Sequence, residues 1–369
     1  MNLRDERKMI LAIILGLFIF LAAGYVAIFI LMFKFSKPPK IKKNYQYQPT
    51  VSIVIPTMNE EKVMEKRIQN ILEMKYPRDK LEVLFIDNSN DSTPKIIEQY
   101  AQRYSFLKLQ KQEKKGFNNA LNQGYSRSTG EIVIKSDSTA FPYPDALEKI
   151  VANFADNTIG AACGIHVFQK PDESVEKEFK DIMYKVQLME SYFHSSLISH
   201  GAFGAYRKSL IPTLGEEITA DDSEVVVSVV RKGYRAIIDT EVKTEEEAPK
   251  SFKERRSQKN RRAAGVIRVI LRNLGMLFNR KYGKFGTVTM PIDLFLMVVS
   301  PIALIFFLVL WIYFVATTAS LVLILFTATI LVLALVSLKL SAKVKAVLDT
   351  YLSCFIGIFQ SFSKKKTWK

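Results

Sequence analysis

Two stretches without a single charged side chain set the terms on which this chain can fold. Met9 to Phe33 is a run of 25 residues, and Leu294 to Leu338 is a run of 45. The first is long enough to cross a hydrocarbon layer of about 30 Å as one helix. A cleaved leader is the competing reading, but the apolar part is too long for one, and Phe33-Lys34-Phe35 makes a poor cleavage site. The second run far exceeds a bilayer as a single helix, so it is expected to form two antiparallel spans. The small cluster Ala316-Thr317-Thr318-Ala319-Ser320 is the natural turn between them. A third segment, Ala346 to Ser363, carries Asp349 and Gln360 and suits a span, a re-entrant helix or an interfacial one. The chain thus divides into an N-terminal transmembrane helix (1–34), a soluble domain (45–250), a basic segment with an interfacial helix (251–285), two transmembrane helices (286–340), and a last membrane or interfacial helix with a basic tail (341–369).

Charge orients these pieces. Lys34, Lys37, Lys40, Lys42 and Lys43 follow the first run with no acid before Glu60, whereas its other end mixes Arg4, Asp5, Glu6, Arg7 and Lys8. Excess lysine marks the cytoplasmic side, so the middle of the chain is expected to face the cytoplasm of an integral protein of the cell membrane. Two further spans return the chain to that side near Lys339, Lys343 and Lys345, and Lys364-Lys365-Lys366 favours a last helix that does not cross. The whole chain holds 52 Lys and Arg against 36 Asp and Glu, a net +16. Such a balance allows nucleic acid, an anionic substrate or a lipid surface. Its location decides. Residues 250–284 hold twelve basic side chains and one acid, while residues 44–249 hold 25 basic and 31 acidic. The excess therefore flanks the membrane segments, and no basic helix with interleaved aromatics lies elsewhere to take nucleic acid. Two cysteines, Cys163 and Cys354, exclude a disulfide scaffold, and His166, His194 and His200 stand at no zinc-ligand spacing.

The soluble region alternates strand and helix. Val51 to Pro56 reads as a buried strand, Glu60 to Met74 as a helix, and Leu81 to Ile86 as a second strand. Pro94 to Arg103 and Asn118 to Ser126 read as helices, with strands at Leu107 to Leu109 and Glu131 to Ile134. That order predicts an α/β domain around a doubly wound, mostly parallel sheet, which binds ligands beyond the carboxyl ends of its strands. The residues following each strand are polar: Pro56-Thr57-Met58-Asn59-Glu60, Asp87-Asn88-Ser89-Asn90-Asp91, and Lys135-Ser136-Asp137-Ser138-Thr139. One Asp after a strand is often only a turn former or helix cap, but several in succession point to a shared crevice. Neither a GxxxxGK[ST] phosphate loop nor a GxGxxG turn is present.

In chain order, VSIVIPTMNEE, DNSNDST, KKGFNNALNQG, GEIVIKSDST, GAFGAYRKS, TADDSEV with RKGYR, and SQKNRRAAG resemble the motifs of inverting family-two glycosyltransferases with a GT-A fold. The likeness is greatest to the membrane-embedded branch that includes cellulose and hyaluronan synthases, and it covers about Thr50 to Gly265 plus the membrane layout. It implies a GT-A fold and transfer of a hexose from a nucleotide-sugar donor, a UDP-sugar by analogy, to a lipid-linked or glycan acceptor. It also implies that Pro56, Thr57, Glu60 and Asp87 line the nucleoside pocket and that Lys115 meets the nucleotide or diphosphate. Asp137, Ser138 and Thr139 would lie by the diphosphate, with Asp137 a ligand of a divalent cation, Mg²⁺ or Mn²⁺. The family's catalytic Asp stands eleven residues before its GY landmark, and Gly233-Tyr234 points back to Asp222, with Asp221 against the acceptor. Gln258, Arg261 and Arg262 occupy the QxxRW place, where arginines grip a diphosphate through paired hydrogen bonds.

Bland readings stand beside these. Lys115 also suits a solvated surface, Asp222 suits a cap for the helix Val225 to Val230, and Arg261 and Arg262 suit lipid headgroups. Two departures from the family pattern bear on function. Thr139 replaces the second Asp of the DxD motif, which removes a metal ligand. Arg262 replaces the Trp tied to processive synthesis, which favours single transfer over a polysaccharide synthase. Three or four membrane helices are also few for a polymer channel, unless a homo-oligomer compensates. A nucleotidyltransferase would need neither membrane nor TADDSEV. An inactive sugar-nucleotide-binding subunit would not need Asp222 and Gln258.

Overall fold

The computed structural model describes residues 3–35, 41–168, 174–246 and 252–362. Lys37, Lys40 and Lys364-Lys365-Lys366 lie outside the described residues. Eight strands form one sheet: β1 (Val51–Thr57), β2 (Leu81–Asp87), β3 (Leu107–Lys111), β4 (Ile132–Ser136), β5 (Ala140–Pro142), β6 (Ile159–Phe168), β7 (Phe203–Arg207) and β8 (Arg235–Glu246). Their order is β3-β2-β1-β4-β7-β6-β8-β5. The half formed by β3, β2, β1 and β4 is parallel, as the alternation of strand and helix dictates. Beyond β4 the sheet turns mixed, because β7 runs antiparallel to both β4 and β6. The fold is thus a GT-A-like α/β domain, parallel in the half from β3 to β4 and mixed in the other.

Alternation along the strands explains why both faces are covered. Ile53, Ile55, Val83, Phe85 and Ile134 face one way, toward Met64, Ile68 and Ile71 of α2 (Glu61–Leu72) and Ile97 of α3 (Thr93–Ala101). Val54, Leu84, Ile86 and Val133 face the other way, toward α4 (Phe117–Arg127) and α7 (Asp221–Arg231). A strand buried on both faces needs a near-continuous apolar run, which is what β1, β2 and β4 show. Two more helices, α5 (Ala146–Ala152) and α6 (Ser174–Phe193), fill the stretches between β5 and β7.

The membrane-length helices form a separate layer. Helix α1 (Leu3–Lys34) runs antiparallel to α10 (Ser300–Thr318): Arg7 donates to the Thr317 carbonyl at 2.5 Å, and the Tyr25 hydroxyl donates to Ser300 Oγ at 3.0 Å. The short α9 (Met290–Leu294) and two π-helical turns join α10 into one continuous helical stretch, Phe285–Thr318. A left-handed residue, Ala319, ends it, and α11 (Leu321–Leu340) follows at once. Among the described residues three helical stretches are long and apolar enough to cross a membrane, Asp5–Lys34, Phe285–Thr318 and Leu321–Lys339. Their surfaces remain open to a lipid phase; Val322 is 75% exposed.

Helix α8 (Phe252–Arg272) corrects one expectation. Its apolar residues Val266, Ile267, Val269 and Ile270 were expected to lie in the interface. They are buried instead in the core shared with α7 and with α12 (Ala342–Ser361). Of the large apolar side chains from Val266 to Phe278, only Leu274 and Phe278, which follow the helix, are exposed, at 45% and 70%. Helix α12 lies along α8, with Asp349 accepting from Arg256 at 2.5 Å and Lys259 at 2.9 Å. At its other end Arg268 of α8 donates to the carbonyls of Ser361 and Gln360 at 3.0 and 3.2 Å.

Candidate active site

Beyond the carboxyl ends of β1, β2 and β4 three polar loops meet. Thr57 donates through its hydroxyl to Asp87 at 2.7 Å, which ties β1 to β2 at the point where both strands end. Asn59, held at φ 59°, receives a bond from the Asn90 amide at 2.9 Å and donates its own amide to Ser89 at 2.8 Å. The Glu60 amide donates to Thr93 at 2.8 Å, and Ser138 of the third loop donates to the Glu60 carboxylate at 3.0 Å. Asp87 also accepts the Ser89 amide and hydroxyl at 3.1 and 2.6 Å, so it acts as a turn former as well as a wall. Of the expected pocket residues, Pro56, Thr57 and Asp87 thus end β1 and β2, and Glu60, Asp137, Ser138 and Thr139 lie on the loops that follow β1 and β4. Burial pushes the Glu60 carboxyl up, Ser138 opposes it, and the nearby charges of Asp91 and Asp137 add to the rise.

Asp221 and Asp222 open α7 rather than cap it. The cap position belongs to Ala220, and neither carboxylate bonds the helix amides. Acids in the first turn still suit the helix dipole. Both reach instead to Lys135, on β4, whose ammonium donates to Asp221 Oδ2 at 2.6 Å and Asp222 Oδ1 at 2.9 Å. The loop that delivers them is fastened to α4, where Asn118 donates to the carbonyls of Gly215 and Ile218 at 2.6 and 2.8 Å. Burial and the adjacent Asp221 push the Asp222 carboxyl up to about 7, against the pull of Lys135. Its side chain keeps 19% exposure, enough for an incoming group to reach it.

Of the basic cluster, Arg261 lies within electrostatic range of Asp137 and Asp221. Burial lowers its guanidinium, as does Arg262, while the charges of Asp137 and Asp221 hold it up. Gln258 is half-buried one turn earlier on the same helix. Arg262 and Lys115 are exposed, Lys115 on the loop before α4. Two residues to which the motifs assign no role join this cluster. Lys135 is one, and the fully buried Arg67 of α2 is the other. Arg67 donates to Ser136 at 2.7 Å and to Asn70 at 2.8 Å, and its Nε is buried without a partner. Burial, partly offset by Asp137, pulls its guanidinium down to about 9. A lysine inside a buried strand, directly after Ile132-Val133-Ile134, was the available signal, because a buried ammonium demands a counter-charge.

Among the described residues no three His, Cys, Asp or Glu side chains converge on a metal position. Mg²⁺ and Mn²⁺ sites on phosphate substrates need only one or two carboxylates, the phosphates supplying the rest. Half-exposed Asp137, within electrostatic range of Glu60, Asp222 and Arg261, fits that smaller requirement.

Comparison with known proteins follows the same lines. Residues 52–215 match the family described as glycosyl transferase family 2. The chain is 28% identical over 257 residues to the probable glycosyltransferase YdaM of Bacillus subtilis, covering 66% of this chain and 61% of that protein. It is 25% identical over 203 residues to a Methanococcus voltae enzyme, dolichyl N-acetyl-alpha-D-glucosaminyl phosphate 3-beta-D-2,3-diacetamido-2,3-dideoxy-beta-D-glucuronosyltransferase, covering 50% of this chain and 63% of that one. The chain thus spans about three-fifths of the length of these curated relatives. Among solved structures, the mannosyltransferase PcManGT of Pyrobaculum calidifontis, in complex with GDP-Man and Mn²⁺, superposes with a TM-score of 0.80 at 25% identity. That superposition covers 96% of this chain and 99% of the other.

Proposed function

From the premise that this chain carries a family 2 glycosyl transferase domain at residues 52–215, we propose that it is an inverting glycosyltransferase. It moves a hexose from a nucleotide-sugar to a lipid-linked or glycan acceptor at the cytoplasmic face of the cell membrane. The observation that carries this reading is the Asp221–Asp222 pair, fixed on Lys135 beside the Asp137 loop and Arg261. The solved mannosyltransferase with GDP-Man makes GDP-mannose the first donor to test, ahead of the UDP-sugars suggested by motif resemblance. The Methanococcus relative, whose name specifies a dolichyl phosphate acceptor, supports a lipid carrier.

In this mechanism Thr57, Glu60 and Asp87 hold the nucleoside and Arg261, with Gln258 behind it, takes charge from the diphosphate. Asp137 would hold a divalent cation, which when bound neutralises the leaving diphosphate. Asp222, ionised, accepts the acceptor hydroxyl's proton as that oxygen attacks the anomeric carbon. Asp221 lies beside it for a neighbouring acceptor group. A single product is expected, since Arg262 stands where polymer synthases carry Trp.

The test is Asp222→Asn in purified protein, with nucleotide binding and sugar transfer both measured. The variant is expected to bind GDP or UDP as the wild type does and to transfer sugar at least about a hundredfold more slowly. Retained transfer refutes the assignment, and a ladder of product lengths refutes single transfer.

A further inference from the structure

The acid pair is held by Lys135, a cation inside the GEIVIKSDST segment to which the motif resemblance gives no role. Lys135 follows Ile132, Val133 and Ile134 on β4, all buried, and is itself 4% exposed. Its ammonium spans both carboxylates, 2.6 Å from Asp221 Oδ2 and 2.9 Å from Asp222 Oδ1, and lies 5.2 Å over the Phe117 ring. The Tyr206 hydroxyl, also buried, donates to the same Oδ1 at 3.4 Å. The carboxylate of Asp222 rests on Gly201, where any Cβ would collide with it. Among the described residues no group donates to the remaining oxygen, Oδ2. One oxygen of Asp222 is therefore engaged by fixed donors, the plane of the carboxylate is set by a glycine, and the second oxygen is left to accept.

We propose that Lys135 is a positioning residue for transfer: it locks Asp222 through Oδ1 so that Oδ2 receives the proton of the acceptor hydroxyl. The inference rests on the reading of Asp222 as the base. In the step, the acceptor oxygen bonds to the anomeric carbon as the bond from that carbon to the diphosphate oxygen breaks. The electron pair leaves with the nucleoside diphosphate, and the proton passes to Oδ2. A primary ammonium suits the task because its three donors can serve two carboxylates at once. Without it, two like charges in a half-dry site would push each other apart and the base would lose its aim. Misplacement by about 1 Å is enough to cost on the order of a hundredfold in rate.

The test uses the full chain in detergent, comparing Lys135→Met, Lys135→Arg, Gly201→Ala and Asp222→Asn. Binding of GDP and UDP, thermal melting and transfer kinetics are measured on each. Lys135→Met is expected to lower kcat about a hundredfold with nucleotide affinity within about threefold of wild type. Lys135→Arg, which keeps a charged donor, should recover at least about a tenth of wild-type turnover. Wild-type turnover in Lys135→Met overturns the proposal. So does a loss of nucleotide affinity that matches the loss of kcat, or an Arg variant as impaired as the Met one. If Lys135→Met does not fold, Gly201→Ala decides: it should keep nucleotide binding and lose transfer, and retained transfer overturns the proposal. Transfer by Asp222→Asn refutes the base itself, whereas a dead Asp222→Asn beside an active Lys135→Met refutes the role of Lys135 alone.

Discussion

A carboxylate serves as a base only while ionised, and the surroundings of Asp222 set where that happens. Burial and Asp221 raise its carboxyl to about 7, and Lys135 limits the rise. Because the folded value lies above the ordinary one for Asp, the ionised form is lost as pH falls through 7 and is complete only above it. The acid limb of kcat/KM is therefore expected to have its midpoint near pH 7 and to fall about tenfold per unit below it. A profile flat between pH 5 and 8 would show that Asp222 is ionised throughout and that burial does not govern it. The sequence pointed to Asp222 through its resemblance to the family pattern before Gly233-Tyr234, and to the loop residues through their places after strands. Lys135 and Arg67 did not, because their partners come from elements far apart in sequence that only the folded sheet brings together.

At the scale of elements, the parallel half of the sheet was legible because apolar runs, short polar loops and helical stretches alternate from Val51 to Ser136. The mixed half was not, since β5 to β8 are interrupted by α6 and by bulges between β6 and β8. Helix α8 was misread for a physical reason. Amphipathic helices in a lipid interface and on a protein core share one pattern, and only the partner distinguishes them. Here the partners are α7 and α12. The close approach of α12 depends on Gly357, where a Cβ would lie 3.0 Å from the Ala264 amide and 3.1 Å from the Ala263 Cβ. Gly357→Val should force the helices apart, cost about 1–3 kcal/mol, and lower the melting temperature. The KM for the nucleotide-sugar should rise with it, because Arg261 rides on the displaced helix. An unchanged melting temperature would show that α12 does not brace α8.

Over the whole molecule, charge and hydropathy describe one architecture. A mildly acidic α/β domain adjoins a layer of long apolar helices, with lysine and arginine concentrated in the segments that flank those helices. The exit of α1 and the entry of the second membrane stretch lie together, Lys284 standing 5.2 Å over the Phe35 ring. Two helical stretches long and apolar enough to cross a membrane, Phe285–Thr318 and Leu321–Lys339, stand between that entry and α12, which packs on α8. On the proposed reading, donor, base and acceptor face come together at one membrane surface, the cytoplasmic one by lysine excess. The most direct measurement uses sealed membrane vesicles of both orientations and externally added, impermeant GDP-[¹⁴C]mannose and UDP-[¹⁴C]sugars. Inside-out vesicles carrying the wild-type chain should place label from one donor into a single lipid-extractable product, and right-side-out vesicles or the Asp222→Asn chain should not. Label incorporated equally by Asp222→Asn, or by no nucleotide-sugar at all, would contradict the account.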